Sequence, residues 1–288
     1  MLEEFAVFIL THGRADKVST YDTLQRAGYT GRIFIIIDNE DKQIARYYNN
    51  FGNKVIVFDK AAVATTFDEG DNFQDRRSIV YARNASFDIA KQLGIKYFMQ
   101  LDDDYFNLCY KINGKFEYVN SDNTTTLRNA DAIFGFLLNF YKATNCAALA
   151  IGQGGDYIGG KQSSAWTAHS VRRKCMNTII CSTARPFQFV GKLNEDVNTY
   201  TVIQNRGTLF LTFPLLAIQQ KATQKTAGGM TEKYLETGTY IKSFYSVMYQ
   251  PSSVKVGMMG QNHKRLHHSI DWNATVPCII SETLQKQD

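Results

Sequence analysis

Three consecutive carboxylates, Asp102-Asp103-Asp104, follow the apolar run Tyr97-Phe98-Met99-Gln100-Leu101. Three such charges repel one another in a dry site and become favourable around a divalent cation. Side chains two residues apart on an extended chain point the same way, so Asp102 and Asp104 can share one ion. Mg²⁺ or Mn²⁺ held like this keeps open positions for phosphate oxygens. The plainer alternative is a solvated acidic turn. A second acidic motif, Asn194-Glu195-Asp196-Val197-Asn198, precedes a helix predicted over residues 197–204. One of its carboxylates can cap that helix, and the other can act as general base on an acceptor hydroxyl. Arg76, Arg77 and Arg83 fall in a helix predicted over residues 76–93, where they are either solvated or able to neutralise a diphosphate. His12 follows the first apolar run, as a turn residue or as a base or phosphate contact. His263 and His267 are four apart, one face of a helix if the segment is helical. No Glu follows His263 directly, so this is no zinc-protease pair, but His263 can complete a metal site begun by the aspartates.

Other chemistries are disfavoured by what is missing. Gly152-Gln153-Gly154-Gly155 matches neither the dinucleotide-binding pattern nor a Walker loop. No Gly-x-Ser-x-Gly elbow occurs. The five cysteines contain no Cys-x-x-Cys pair, so neither a zinc knuckle nor a redox motif is indicated, and reduced, buried thiols of a cytoplasmic protein are expected. The acidic start Met1-Leu2-Glu3-Glu4 carries no signal-peptide pattern. The longest apolar stretch, residues 209–218, is broken by Thr212 and Pro214 and is too short for a span of about 20 residues. With 44% hydrophobic and 20% charged residues the chain can bury a core. Its 32 basic against 27 acidic residues leave +5, which permits a nucleotide or nucleic acid as partner.

The elements that must position these groups alternate through the first half. Strands are predicted over residues 5–10, 32–37, 54–58 and 96–101, and helices over 17–27, 41–51 and 76–93. Residues 61–74 read as a polar loop. This is the pattern of a Rossmann-like α/β fold with a parallel sheet, whose ligand lies at the strands' carboxyl ends. The second half predicts a hairpin over 106–119 around Asn113-Gly114, a helix over 130–144, and strands over 147–151, 176–181 and 208–213. Residues after Gln219 read as irregular, polar and rich in Thr and Gly. No repeat or linker interrupts the chain, so one domain with an elaborated second half is expected.

The strand-Thr11-x-x-Arg14 start, the Arg83-Asn84 helix, the Asp-x-Asp strand end and the later Glu195-Asp196 resemble a nucleotide-sugar glycosyltransferase of the GT-A fold. More specifically, Leu101-Asp102-Asp103-Asp104, the block Asn194-Glu195-Asp196-Val197-Asn198-Thr199-Tyr200, the following Gly207-Thr208-Leu209-Phe210-Leu211-Thr212 and the His-containing C-terminal segment resemble the TET/JBP-associated glycosyltransferases. That family includes phage proteins and base J glucosyltransferases, and the resemblance spans nearly the whole chain. It implies a single α/β, GT-A-like domain with a nucleotide-sugar-binding half (1–105) and an acceptor-binding, catalytic half (106–288). It implies inverting sugar transfer from a UDP-sugar to a 5-hydroxymethylpyrimidine in DNA, foremost 5-hydroxymethylcytosine, in a host cytoplasm if the source is a phage. Asp102 and Asp104, with His263, would hold Mn²⁺ or Mg²⁺ on the diphosphate. Thr11, Arg14, Asp38 and Asp103 would lie at the nucleotide, with Arg76 and Arg83 at the phosphates. Glu195 or Asp196 would be the base. Arg172, Arg173, Lys174, Lys221, Lys225, Lys264 and Arg265 are candidate DNA-phosphate contacts, and residues 223–231, with Gly228-Gly229 as hinge, a candidate lid. The rivals are a protein- or glycan-directed transferase, a non-catalytic nucleotide-sugar-binding module and a metal-dependent nucleotidyltransferase.

Overall fold

The computed structural model describes residues 3–163, 166, 171–220, 236, 238, 240–260 and 264–285. Its centre is the strand β1 (Phe5–Leu10), buried along its whole length. Parallel neighbours lie on both sides, β2 (Arg32–Asp38) and β4 (Tyr97–Asp102), with β3 (Val55–Phe58) beyond β2. Alternate β1 side chains feed two cores. Phe5, Val7 and Ile9 pack with helices α1 (Ser19–Arg26), α2 (Ile44–Phe51) and α5 (Ala130–Ala143). Ala6, Phe8 and Leu10 pack with α4 (Val80–Gln92) and α6 (Glu195–Gln204). A strand covered on both faces has no reason to alternate, which is why it reads as a continuous apolar run. A short helix α3 (Lys60–Ala64) opens the stretch expected to be loop.

Five more strands complete a nine-stranded mixed sheet flanked by helices, the architecture expected from the sequence. They are β5 (Tyr105–Tyr110), β6 (Thr125–Thr126), β7 (Ala148–Gln153), β8 (Ile179–Ser182) and β9 (Phe210–Gln220), in the order β3-β2-β1-β4-β8-β7-β9-β5-β6. One consequence bears on the acidic turn. Only Asp103 and Asp104 connect β4 to β5, yet the two strands stand four places apart in the sheet. Four spacings of a flat sheet are about 19 Å, whereas three residue steps reach about 11 Å. The sheet therefore creases, and the aspartates lie at the crease.

The crease is built at β9. Its pairing with β7 jumps from Ile151↔Phe213 to Gly152↔Ala217, leaving Pro214, Leu215 and Leu216 as a bend. Pro214 has no N–H to give a ladder. The Tyr157 hydroxyl sits 2.8 Å from the carbonyl oxygens of both Pro214 and Leu216. It passes so close to Gly152 that a Cβ there would lie 2.2 Å from the phenol oxygen. The first glycine of the 152–155 segment thus makes room for a tyrosine that holds the bend.

Three sequence expectations are corrected. The hairpin over residues 106–119 shrinks to the bridge Ile112↔Tyr118, and β5 pairs instead with β9 and β6. Strand β9 continues beyond Pro214 because the bend absorbs the missing donor. The region after Gln219 contains helix α7 (Ile241–Tyr249) and an antiparallel hairpin, β10 (Val254–Met259) with β11 (Arg265–Ile270). Cys109, Cys146, Cys175 and Cys181 are buried and form no disulfide. Among the described residues no helix is long and apolar enough to cross a membrane.

Candidate active site

The carboxyl ends of β1, β2 and β4 converge on the acidic turn. Asp103, expected at the nucleotide, is buried and fully engaged: Thr11 donates to one oxygen at 2.6 Å and Arg14 to the other at 2.9 Å. The Thr11 hydroxyl also meets the Tyr47 hydroxyl at 2.9 Å. Thr11 and Asp103 therefore lock the end of β1 to the turn. Asp38 is likewise buried, with His12 Nδ1 at 2.7 Å and Lys60 Nζ at 3.4 Å. Burial by itself would raise the Asp38 carboxyl, but His12 and Lys60 outweigh it and hold it below the usual range. The exposed partner in this group is His12, whose side chain is 41% accessible. Arg76 lies 3.4 Å from Glu40 at the rim.

Arg83 joins the two acidic motifs. Its side chain is 1% exposed, with Nε donating to Glu195 at 2.9 Å and one terminal nitrogen to Asp102 at 3.0 Å. Three features hold it in place. Gln100, in the middle of β4, donates to the Arg83 carbonyl at 2.9 Å. The guanidinium lies over the Phe189 ring. The neighbouring Asn84 exchanges two hydrogen bonds with the Phe189 backbone, at 3.0 and 2.8 Å. Helix α4 is thereby tied to the segment that enters α6. The remaining Arg83 terminal nitrogen is buried without a partner among the described residues.

Helix α6 begins at Glu195, so both acids of the motif fall in its first turn. There the free amide groups and the helix dipole favour negative charge. Burial raises the Glu195 carboxyl, Asp196 adds to the rise, and Arg83 opposes it. Asp196 accepts from the Val197 amide at 2.7 Å. Burial pushes Asp102 up to about 7, against the pull of Arg83 and with the repulsion of Asp104 and Glu195. Asp102, Asp104, Glu195 and Asp196 thus crowd around Arg83.

The C-terminal elements close over α6. Asn194, its N-terminal neighbour, has a left-handed backbone with φ 59°. Its amide donates to Ser246 of α7 at 2.7 Å and lies 3.3 Å from His268 Nδ1 on β11. Ser246 also donates to Asn198 at 2.9 Å, and Trp272 stacks on Tyr200. Lys174 and Lys242 both feel the Asp196 charge, while burial lowers each ammonium. Burial and Lys174 push His268 down to about 2 and His267 to about 4.

A stability prediction follows from His268. An unfolded histidine protonates near pH 6.5, whereas folded His268 stays neutral far below that. Below about pH 6.5 the unfolded chain binds a proton that the folded chain refuses, so this residue costs about 1.4 kcal/mol per pH unit as pH falls. Carboxylates with raised values act in the opposite sense over the same range, so the readout is a difference. The unfolding free energies of wild type and His268→Gln should diverge by about 1.4 kcal/mol between pH 6 and 5, the variant being the less acid-sensitive. Parallel curves would refute it.

Residues 5–229 match the TET-Associated Glycosyltransferase family. The chain belongs to that family. No curated protein matches it. Among solved structures it is similar to glucosyl-3-phosphoglycerate synthase from Mycobacterium tuberculosis in complex with Mg²⁺ and UDP, at 8% identity, over 92% of this chain and 87% of that one, TM-score 0.46. The same enzyme with Mn²⁺, UDP and phosphoglyceric acid matches at 8% identity over 92% and 86%, TM-score 0.44.

In this glycosyltransferase the chain's own groups fit a divalent ion in one respect. Asp102 and Asp104 supply hard oxygen donors at a partly open position. Among the described residues no cluster of three or more His, Cys, Asp or Glu side chains is placed to hold a metal. His263, the residues 223–231 and Lys221 and Lys225 lie outside the described residues. His267 falls on a strand rather than a helix, because the segment pairs with β10.

The basic candidates of the glycosyltransferase separate. Arg172, Lys264 and Arg265 are exposed. Arg173 is 8% exposed and ion-paired with Asp156, so it is corrected from a surface phosphate contact to a buried strut. Lys174 is only partly exposed and faces Asp196. Sequence reasoning missed Lys242 and His268, which reach the site from the region read as irregular. The only available signal was the apolar alternation of Val254, Val256, Leu266 and Ile270.

Proposed function

We propose that this glycosyltransferase moves a sugar from a UDP-sugar to the hydroxyl of a 5-hydroxymethylpyrimidine in DNA, with inversion at the anomeric carbon. The observation that carries the reading is the buried Arg83, which brings the Asp-x-Asp strand end and the Glu-Asp helix start into one site. A metal-dependent nucleotidyltransferase needs the first motif alone. Sugar transfer needs both, a diphosphate cradle and a nearby base.

Asp102 and Asp104 would hold Mg²⁺ or Mn²⁺, which when bound neutralises the departing diphosphate. Arg14 and His12 border the nucleotide side of the turn. Arg83 fixes Glu195 and Asp102 relative to each other. Glu195 is committed to that bridge, so Asp196 is the base: it takes the proton of the acceptor hydroxyl as the oxygen attacks the anomeric carbon and UDP leaves. Lys174 and Lys242 lie beside it and offer contacts to acceptor phosphates.

The test incubates the protein with a panel of UDP-sugars and DNA containing 5-hydroxymethylcytosine or 5-hydroxymethyluracil, with Mn²⁺ or excess chelator. The nucleosides are then weighed by mass spectrometry. A hexose or pentose adduct that chelator abolishes is expected. No adduct with any donor, together with transfer to a protein or glycan acceptor, would replace the DNA reading.

DNA binding gives a further expectation. Each phosphate contact releases counterions, so log affinity falls with log salt by about 0.9 per contact. Charge reversal at Arg172 and Arg265 together should make that slope shallower by roughly 2 while leaving UDP affinity unchanged. An unaltered slope would remove these residues from the interface.

A further inference from the structure

We infer that Asn177 and Gln220 form the wall that reads the hydroxyls of the transferred sugar. This rests on the UDP-sugar reading above and deepens it.

The placement comes from the ladders. Strands β4 and β8 are antiparallel, with Gln100 opposite Ile179. Asn177, two residues before Ile179, therefore lies towards the carboxyl end of β4, where Asp102 stands. On the other flank of the acidic turn, Gln220 is paired with Tyr105, the residue after Asp104. The two amides thus stand on either side of residues 102–105. They meet across the crease, Asn177 Nδ2 lying 3.5 Å from Gln220 Oε1. That contact is at the long limit of a hydrogen bond, so a ligand hydroxyl can replace it at small cost. The other halves of the two amides make no hydrogen bond among the described residues.

The backbone adds a second observation. Asn177 has φ 53°, one of three non-glycine residues at positive φ among those described. Its neighbours form a tight turn, with the Thr178 amide 2.5 Å from the Met176 carbonyl, and the Thr178 hydroxyl reaches the Tyr105 hydroxyl at 3.4 Å. Strained non-glycine backbone persists where the surroundings fix it and gathers at ligand sites. Asn194 shows the same conformation on the base side of the site, but its amide is held by Ser246 and His268. Among the described residues the amide of Asn177 is held by Gln220.

The chemistry fits a sugar rather than a phosphate. An amide carries a donor and an acceptor without charge, which suits hydroxyls that do both. A diphosphate at the acidic turn would leave its attached sugar at the adjoining wall, on the side away from the nucleotide strands β1–β3. Asn177 and Gln220 are polar side chains placed at that wall.

The test separates sugar contacts from nucleotide contacts. Calorimetry compares UDP, UDP-glucose, UDP-galactose and UDP-N-acetylglucosamine on wild type, Asn177→Gly and Gln220→Met. Glycine accepts the left-handed backbone while deleting the amide, and methionine keeps the length of Gln220. Affinity for UDP should stay within twofold in both variants. Affinity for the preferred UDP-sugar should drop roughly tenfold, and discrimination between the glucose and galactose donors should shrink by a similar factor. Equal losses for UDP and UDP-sugar, or an unchanged ratio between the epimeric donors, would overturn the assignment of these two residues alone. A wild type that binds neither UDP nor any UDP-sugar would overturn the donor reading together with it.

Discussion

Arg83→Met should cost about 3–5 kcal/mol of stability at pH 8 and abolish transfer. Arg83 is the buried cation between Asp102 and Glu195, with Asp104 and Asp196 close by. Methionine fills most of the volume, so packing loss is small and the effect is electrostatic. Two buried carboxylates would lose their partner, and such a charge is much costlier alone than paired. The sign with pH is fixed. Asp102 and Glu195 already sit above the usual carboxylate range, and losing Arg83 raises them further. The folded variant then binds more protons than its unfolded chain, so its deficit grows as pH rises and shrinks as pH falls towards 5. Chemical denaturation at pH 5.5 and 8 reads this directly. Arg83→Lys keeps the charge but loses the two-pronged geometry, and should recover part of the stability and little of the activity. A deficit below about 1 kcal/mol at pH 8, with transfer intact, would mean that the bridge is dispensable.

That bridge marks the limit of what the sequence discloses. The acidic turn is legible because charge at the end of a buried strand is locally anomalous: Phe98, Met99 and Leu101 announce the strand, and the aspartates break it. The Glu195-Asp196 pair is legible for the same reason at a helix start. Their meeting is not. Arg83 reaches Asp102 across 19 residues and Glu195 across 112, and nothing in a local pattern selects it over Arg76 or Arg77. The Thr11–Asp103–Arg14 lock is hidden in the same way. It fastens two strand ends through residues that also read as ligand contacts.

The second half is less legible because its signals are interrupted. Pro214 ends the apparent strand, yet the Tyr157 hydroxyl supports the bend and β9 resumes. The β10–β11 hairpin buries few residues, so its alternation is weak, and polar His268 occupies an inward position where an apolar residue would have announced a strand. Burial of a neutral histidine against α6 is a tertiary fact that propensity does not carry.

Asp196→Asn should lower turnover by roughly 10²–10⁴-fold with UDP-sugar affinity nearly unchanged. The side chains match in size, and the amide oxygen can still accept from the Val197 amide, as Asp196 does at 2.7 Å. The helix start and the fold are therefore kept. What disappears is the ability to take a proton at neutral pH. Glu195→Gln acts differently, because Arg83 donates to Glu195 and would keep a weaker acceptor there. It should disturb stability and metal dependence along with rate. The two variants therefore separate base from strut. For Asp196→Asn, single-turnover transfer should be slow with donor binding and melting temperature close to wild type. A variant at wild-type speed would move the base to Glu195. A melting temperature lowered as though by about 1 kcal/mol, with transfer otherwise normal, would reduce Asp196 to the capping role that its position at the start of α6 also permits.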